Sequence, residues 1–190
     1  MSFLKLAILL TASCLFLGCT SQPLPLKSPP TPTPSANIPS ANISLKEAVK
    51  ELQILEDKIK SGIDVAGYAV IITKTSPLVQ NASGDAKAVA ALKSAFKGHQ
   101  LAAKFWECDR IEGYDALHQC RGKALSEVFS KYPDIATQAK AAVKSNDLAT
   151  ISRQLSKEAI LQAIWNKIST ETQAASQAIS TETTPQKSQP

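Results

Sequence analysis

Hydrophobic positions recur along this chain at intervals of three and four, a spacing that predicts a series of amphipathic helices. Leu45, Ala48, Val49, Leu52, Leu55 and Ile59 form the first stripe. Ser44 ahead of it and Glu47 three residues on match a capping box, in which each side chain satisfies a free backbone N–H near the other. Gly62 suits the left-handed residue that follows a helix end. Asp64 predicts the cap of a second helix carrying Val65, Tyr68, Ala69, Ile72 and Val79, although residues 68–73 are β-branched enough to read as a strand. Pro77 is expected to kink that helix or restart it. A third helix is predicted over 86–107, capped by Asp85, with Leu92, Phe96, His99 and Trp106 on one face and several alanines that let a neighbour approach. The periodicity lapses over 108–113 and resumes from Tyr114 with Leu117, Cys120, Ala124 and Val128. Proline disfavours helical geometry in the residue before it, so Tyr132-Pro133 ends this helix. Shorter helices follow over 135–143 and 148–155, and Ser156 caps a last one bearing Ile160, Ile164 and Ile168. The predicted class is all-α: an up-and-down bundle of about four long helices with shorter connecting helices, because short links favour antiparallel neighbours. Past Ala175 the pattern gives way to Ser, Thr, Gln and Pro, so the helical domain is assigned to 44–176 and a disordered tail to 177–190.

The front of the chain has a different pattern. After the single charge Lys5, residues 6–17 are almost entirely apolar. The run is shorter than the roughly 20 residues that span a bilayer, and it has the layout of an export signal. It ends in Phe16-Leu17-Gly18-Cys19. These four residues resemble the lipobox of bacterial lipoproteins, with Phe16 where Leu is usual. Cys14, the rival cysteine, has too short an apolar run before it. The resemblance implies that residues 1–18 are removed, that Cys19 receives a diacylglyceryl group, and that its new amino terminus is acylated. Its partner would then be the membrane, since two or more acyl chains hold firmly where one binds marginally. The implied location is the bacterial cell membrane or outer membrane, with the domain exported to the periplasm or cell surface. Residues 19–43 read as a disordered tether: seven prolines between Pro23 and Pro39, separated mostly by Ser and Thr, favour extended backbone and reach up to ~70 Å.

Without residues 1–18 the chain keeps 20 Lys and Arg against 16 Asp and Glu. The basic residues are interleaved with acids and form no stripe with aromatics, which argues against a nucleic-acid partner. Of four cysteines, Cys108 and Cys120 remain as a pair in an exported domain and flank the one lapse in periodicity, so a disulfide is expected between them. His99, Cys108, His118 and Cys120 could be set out as four metal ligands, but only His118 and Cys120 are close in sequence, and no metal site is assigned. His99 lies on an apolar stripe and reads as a core histidine. Glu107, Asp109, Glu112 and Asp115 gather acid around the cysteine loop and read as a solvated surface. No nucleophile elbow, zinc-protease helix, phosphate loop or dinucleotide fingerprint occurs, so no catalytic residue and no cofactor are assigned. The expected role is non-enzymatic: a lipid-anchored envelope domain that binds a protein partner. A bundle that holds a small ligand or lipid in an internal cavity is the alternative, and an unrecognised enzyme using the acidic loop is a third reading.

Overall fold

The computed structural model describes residues 44–182. The expected export signal, Cys19, the expected tether and residues 183–190 lie outside the described residues. The chain is all-α, and among the described residues there is no strand, only an isolated bridge between Ser44 and Ser83. Seven helices follow in order: α1 (Leu45–Lys60), α2 (Val65–Gln80), α3 (Ala86–Glu107), α4 (Tyr114–Lys131), α5 (Pro133–Val143), α6 (Leu148–Gln154) and α7 (Lys157–Glu182). A single 3₁₀ turn, Cys108–Arg110, continues α3.

Local chemistry sets the boundaries. Ser44 and Glu47 form the reciprocal capping box, both bonds at 3.2 Å. The far end of α1 closes with Gly62 at φ +89°: Ile63 N–H reaches Lys58 O and Gly62 N–H reaches Ile59 O, each at 3.1 Å. This pair of bonds satisfies carbonyls that the helix itself leaves free. Asp64 and Asp85 accept from Gly67 and Ala88 N–H at 2.7 Å, and Ser156 accepts from Ala159 N–H at 3.1 Å. Gly113, at φ +92°, turns the chain into α4, and Pro133 opens α5, where its missing N–H would have had no partner.

Residues 68–73 are helical, as their stripe predicts, and not a strand; α2 runs unbroken through Pro77, so the expected restart does not occur. The proline stands in the last turn, so it removes a single bond, and Asn81 N–H still reaches Pro77 O at 3.1 Å. At the other end of the chain, α7 continues to Glu182, into the segment expected to be disordered. Its buried stripe leads through Thr172 and Ala175 into that segment, where Ala178 and Ile179 are partly buried against the core.

The core is organised around α3, whose longest seam is with α7. α1 and α2 pack on α3 and on each other, α1 also touches α7, and α4 packs on α3 and carries α5 and α6 with it. Small residues make the α3–α7 seam close. A Cβ added at Gly98 would stand 2.6 Å from Ile168 Cγ1 and would also run into the Tyr132 hydroxyl. Ile168 is fully buried and has nowhere to retreat. Gly98→Ala gains about 1 kcal/mol of helix propensity, against about 2–3 kcal/mol for overpacking, the upper part of the usual range because the added Cβ meets two groups at once. We expect a net loss of about 1–2 kcal/mol, read from the urea midpoint. A stability equal to that of the parent would show that the seam opens at no cost.

Candidate functional site

The most distinctive polar group in the core is His99, which is fully buried on α3. Its Nδ1 lies 2.8 Å from the hydroxyl of Tyr68 on α2, also fully buried, and that hydroxyl accepts from Trp165 Nε1–H on α7 at 3.3 Å. The same hydroxyl is 3.4 Å from the His99 carbonyl. The shorter contact to Nδ1 takes the tyrosine proton, which leaves the ring's own proton on Nε2. Tyr68 is enclosed by rings: Trp106 at 5.7 Å and Trp165 at 6.3 Å between centroids, with the two tryptophans 5.7 Å apart. Burial lowers the His99 pKa to about 3 and raises that of Tyr68, so both are neutral at pH 7.

Nε2 of His99 has no hydrogen-bond partner in the protein, and neither does Oε1 of Glu56 on α1. Both residues line one cavity of about 300 Å³ where α1, α3 and α7 meet. Ile59 and Trp165 supply its apolar wall, and Lys60, Gln162, Asn166 and Ser169 its polar rim. Sequence reading placed His99 on the apolar stripe but missed Glu56, Gln162 and Asn166, which looked like ordinary solvent-facing residues of their helices. Nothing in the local pattern marks them, because the cavity exists only once three helices have met.

The other groups singled out from sequence are engaged elsewhere. Cys108 and Cys120 are bonded, with Cα atoms 5.7 Å apart. His118 Nδ1 pairs with Ser152 Oγ at 2.9 Å, so the four imagined metal ligands are not brought together. Among the described residues no group of three His, Cys, Asp or Glu side chains is placed to hold a metal ion. The acidic loop differs from a free solvated surface in two of its members. Asp109 pairs with Arg121 and, at 2.9 Å, with Lys157 at the start of α7, while Asp115 pairs with Arg153 at 2.9 Å. Burial alone would raise the Asp109 pKa, but hydrogen bonds and charge from Arg121 and Lys157 outweigh it and hold the carboxyl below its ordinary value. The disulfide and these ion pairs fasten α3, α4 and α7 together at one end.

A second polar knot joins α3, α4 and α7 along their length. Lys131 Nζ lies 2.6 Å from Ser94 Oγ and 3.0 Å from Glu171 Oε1, while the Tyr132 hydroxyl donates to Glu171 Oε2 at 3.1 Å. A larger depression of about 490 Å³ opens beside this knot, but Ser94, Lys131 and Glu127 on its wall already have partners. An apolar groove of about 180 Å³ runs between α4, α5 and α7, floored by Phe129, Ile135 and Ile160. The exposed large hydrophobic residues, Ile54, Val70, Ile111 and Tyr114, belong to separate elements. No described helix is long and apolar enough to cross a membrane. Among the described residues, the cavity beside His99 is a space of ligand size whose wall includes two residues with a buried polar atom that lacks a protein partner. No family model, no curated protein and no solved structure matches this chain.

Proposed function

We propose that the protein is a lipid-anchored, non-enzymatic binding domain of the bacterial envelope, and that it holds a small ligand between α1, α3 and α7. The anchor rests on Phe16-Leu17-Gly18-Cys19. The binding role rests on one observation: a space of ligand size between α1, α3 and α7 whose wall includes Glu56, Lys60, Gln162, Trp165 and Asn166. Its volume of about 300 Å³ lies at the lower end of the ~300–1,000 Å³ typical of ligand pockets. A protein partner, the other reading, would be favoured by a continuous exposed apolar patch, and the exposed apolar side chains are distributed over several elements.

Cys19→Ser is expected to leave the chain uncleaved or in the soluble fraction, with incorporation of labelled palmitate lost. A variant that stays with the membranes after its signal has been removed would refute the anchor. Thr20 stands where Asp would retain a lipoprotein in an inner membrane, so in a host with two membranes the protein is expected in the outer one. Native mass spectrometry of the chain taken from its own envelope tests the binding role. A bound small molecule is expected, and Ser169→Trp, which fills the cavity, should remove it. A chain that carries no such molecule, or carries it equally in the filled variant, would overturn the reading.

A further inference from the structure

The charges of the chain segregate over α2 and α3. Residues 65–106 contain five lysines and no arginine, and Asp85 is the one acid among them. Asp85 is spent as the cap of α3. Lys93, Lys97 and Lys104 are exposed on α3, and the helical period sets them within about 40° of one another. Ala86 and Ala90, also exposed, continue the same face toward the start of the helix. Lys104 is paired with Glu127 of α4, and Lys131 with Glu171 of α7. Among the described residues no ion pair engages Lys93 or Lys97. Two depressions flank this ridge, and Lys97 lines both. One lies toward α2, with Lys93 and Gln80, and the other toward α4, with Ser130 and Lys131. The face keeps a surplus of positive charge with hydrogen-bond donors beside it.

This chemistry fits a surface of anionic headgroups. Lysine presents a mobile point charge, where arginine would grip a phosphate through two bonds. Single-stranded nucleic acid would need aromatic rings to stack on, and Phe96 and Phe105 of α3 are buried. The way the chain enters agrees. Ser44 bridges to Ser83 and Leu45 stands against Gly84, so the described chain begins beside the turn from α2 to α3. The 22 residues of α3 measure about 33 Å, and the segment 20–43 reaches up to ~70 Å. A chain anchored at Cys19 can therefore lay the whole ridge on the bilayer that holds it. The gain is small per residue, about fivefold for each lysine near an anionic surface. An anchor makes it sufficient, because it keeps the face at a high local concentration.

We propose that the outer face of α3, through Lys93, Lys97 and Lys104, docks on a membrane surface of anionic phospholipid headgroups. The proposal rests on the lipid anchor at Cys19 and adds to it the face that meets the bilayer.

The test uses the chain purified from its own envelope and reconstituted in two kinds of vesicle. One is phosphatidylcholine alone, the other two parts phosphatidylcholine to one part phosphatidylglycerol. Acetylation of the lysines is followed by mass spectrometry. Lys93, Lys97 and Lys104 are expected to react more slowly on the anionic vesicles. Lys50 and Lys58, set among Glu47, Glu51 and Asp57 on α1, should react equally on both. Molar salt, which confines charge interactions to about 3 Å, should erase the difference. Lys93→Gln with Lys97→Gln, both at exposed positions, should shift the docked equilibrium roughly 25-fold and restore the reactivity of Lys104. Equal reactivity on the two vesicles, equal protection of Lys50 and Lys58, or undiminished protection of Lys104 in the double variant would overturn the proposal. So would protection by added heparin where anionic vesicles give none, which would assign the face to a soluble polyanion. Flotation separates the docking face from the anchor. A chain that floats with both vesicles yet reacts equally on them keeps its anchor and loses the docking face. One that floats only with the anionic vesicles keeps the docking face and loses the anchor. Flotation with neither refutes both.

Discussion

Replacing Cys108 and Cys120 together with serine is expected to lower the unfolding free energy by about 3 kcal/mol and the melting temperature by on the order of 10 °C. The two residues are 12 apart, and closing a loop of that size removes conformations chiefly from the unfolded chain. The folded state adds its own cost to the loss. Cys108 is 1% exposed, so the double variant buries a hydroxyl where a sulfur had been covered. The bond also keeps Asp109 and Arg121 within reach of Lys157, and loosening it should fray the start of α7. Hydrogen exchange should accordingly rise first in residues 108–120 and in the first turns of α7. A double variant that melts with the parent would show that the helix ends are held by the ion pairs and packing alone. Reductant offers an independent check, since the parent should move toward the variant's melting temperature only when Cys108 becomes accessible.

The second large effect follows from His99. Its folded pKa is lowered to about 3 by burial, whereas an unfolded histidine titrates near 6.5. Between these values the unfolded chain binds a proton that the folded chain does not. The contribution of neutral His99 is therefore complete above pH 6.5 and is lost as the pH falls through this window. The slope approaches about 1.4 kcal/mol per pH unit, which amounts to about 2–3 kcal/mol between pH 6.5 and 4.5. Over that interval most carboxylates remain ionised. His118 adds a term of the same sign: burial first, then the nearby charges of Arg121 and Arg153, lower its pKa as well. The two are separated by His99→Gln, which should be less stable at pH 7 yet lose less on acidification. Urea unfolding of both proteins from pH 7 to 4.5 measures the difference in slope, and parallel curves would mean that His99 takes up its proton without unfolding.

Much of this architecture is legible in the amino-acid sequence because it depends on neighbours along the chain. Ser44, Asp64, Asp85 and Ser156 mark helix starts by chemistry that acts over three residues. The stripes of α1 and α7 mark their buried faces, and two cysteines beside a break in periodicity mark the disulfide. What escapes such a reading depends on distant residues. Gly98 looks like a weak point in a helix until Ile168 is seen against it, 70 positions later. Asp109 looks solvated until Lys157 arrives from α7. Pro77 looks like a break until its place in the last turn of α2 is known. Glu56 and Gln162 look like surface residues because the cavity they line belongs to no single helix. The class of fold was thus accessible from pattern alone, while the site required the packing.

The α3–α7 seam has a kinetic consequence. Ser94 on α3 bonds to Glu171 on α7 at 2.9 Å across 77 positions, and Tyr68 on α2 meets Trp165 across 97. Contacts so remote in sequence make folding slow relative to a bundle of neighbouring helices. A ribosome delivers α7 after the other six described helices. Until it does, the apolar face of α3 has no permanent cover, and α1, α2 and α4 can give only provisional shelter. The nascent chain therefore stays uncommitted until α7 has been synthesised, a condition suited to the unfolded passage across a membrane that the proposed export signal would require.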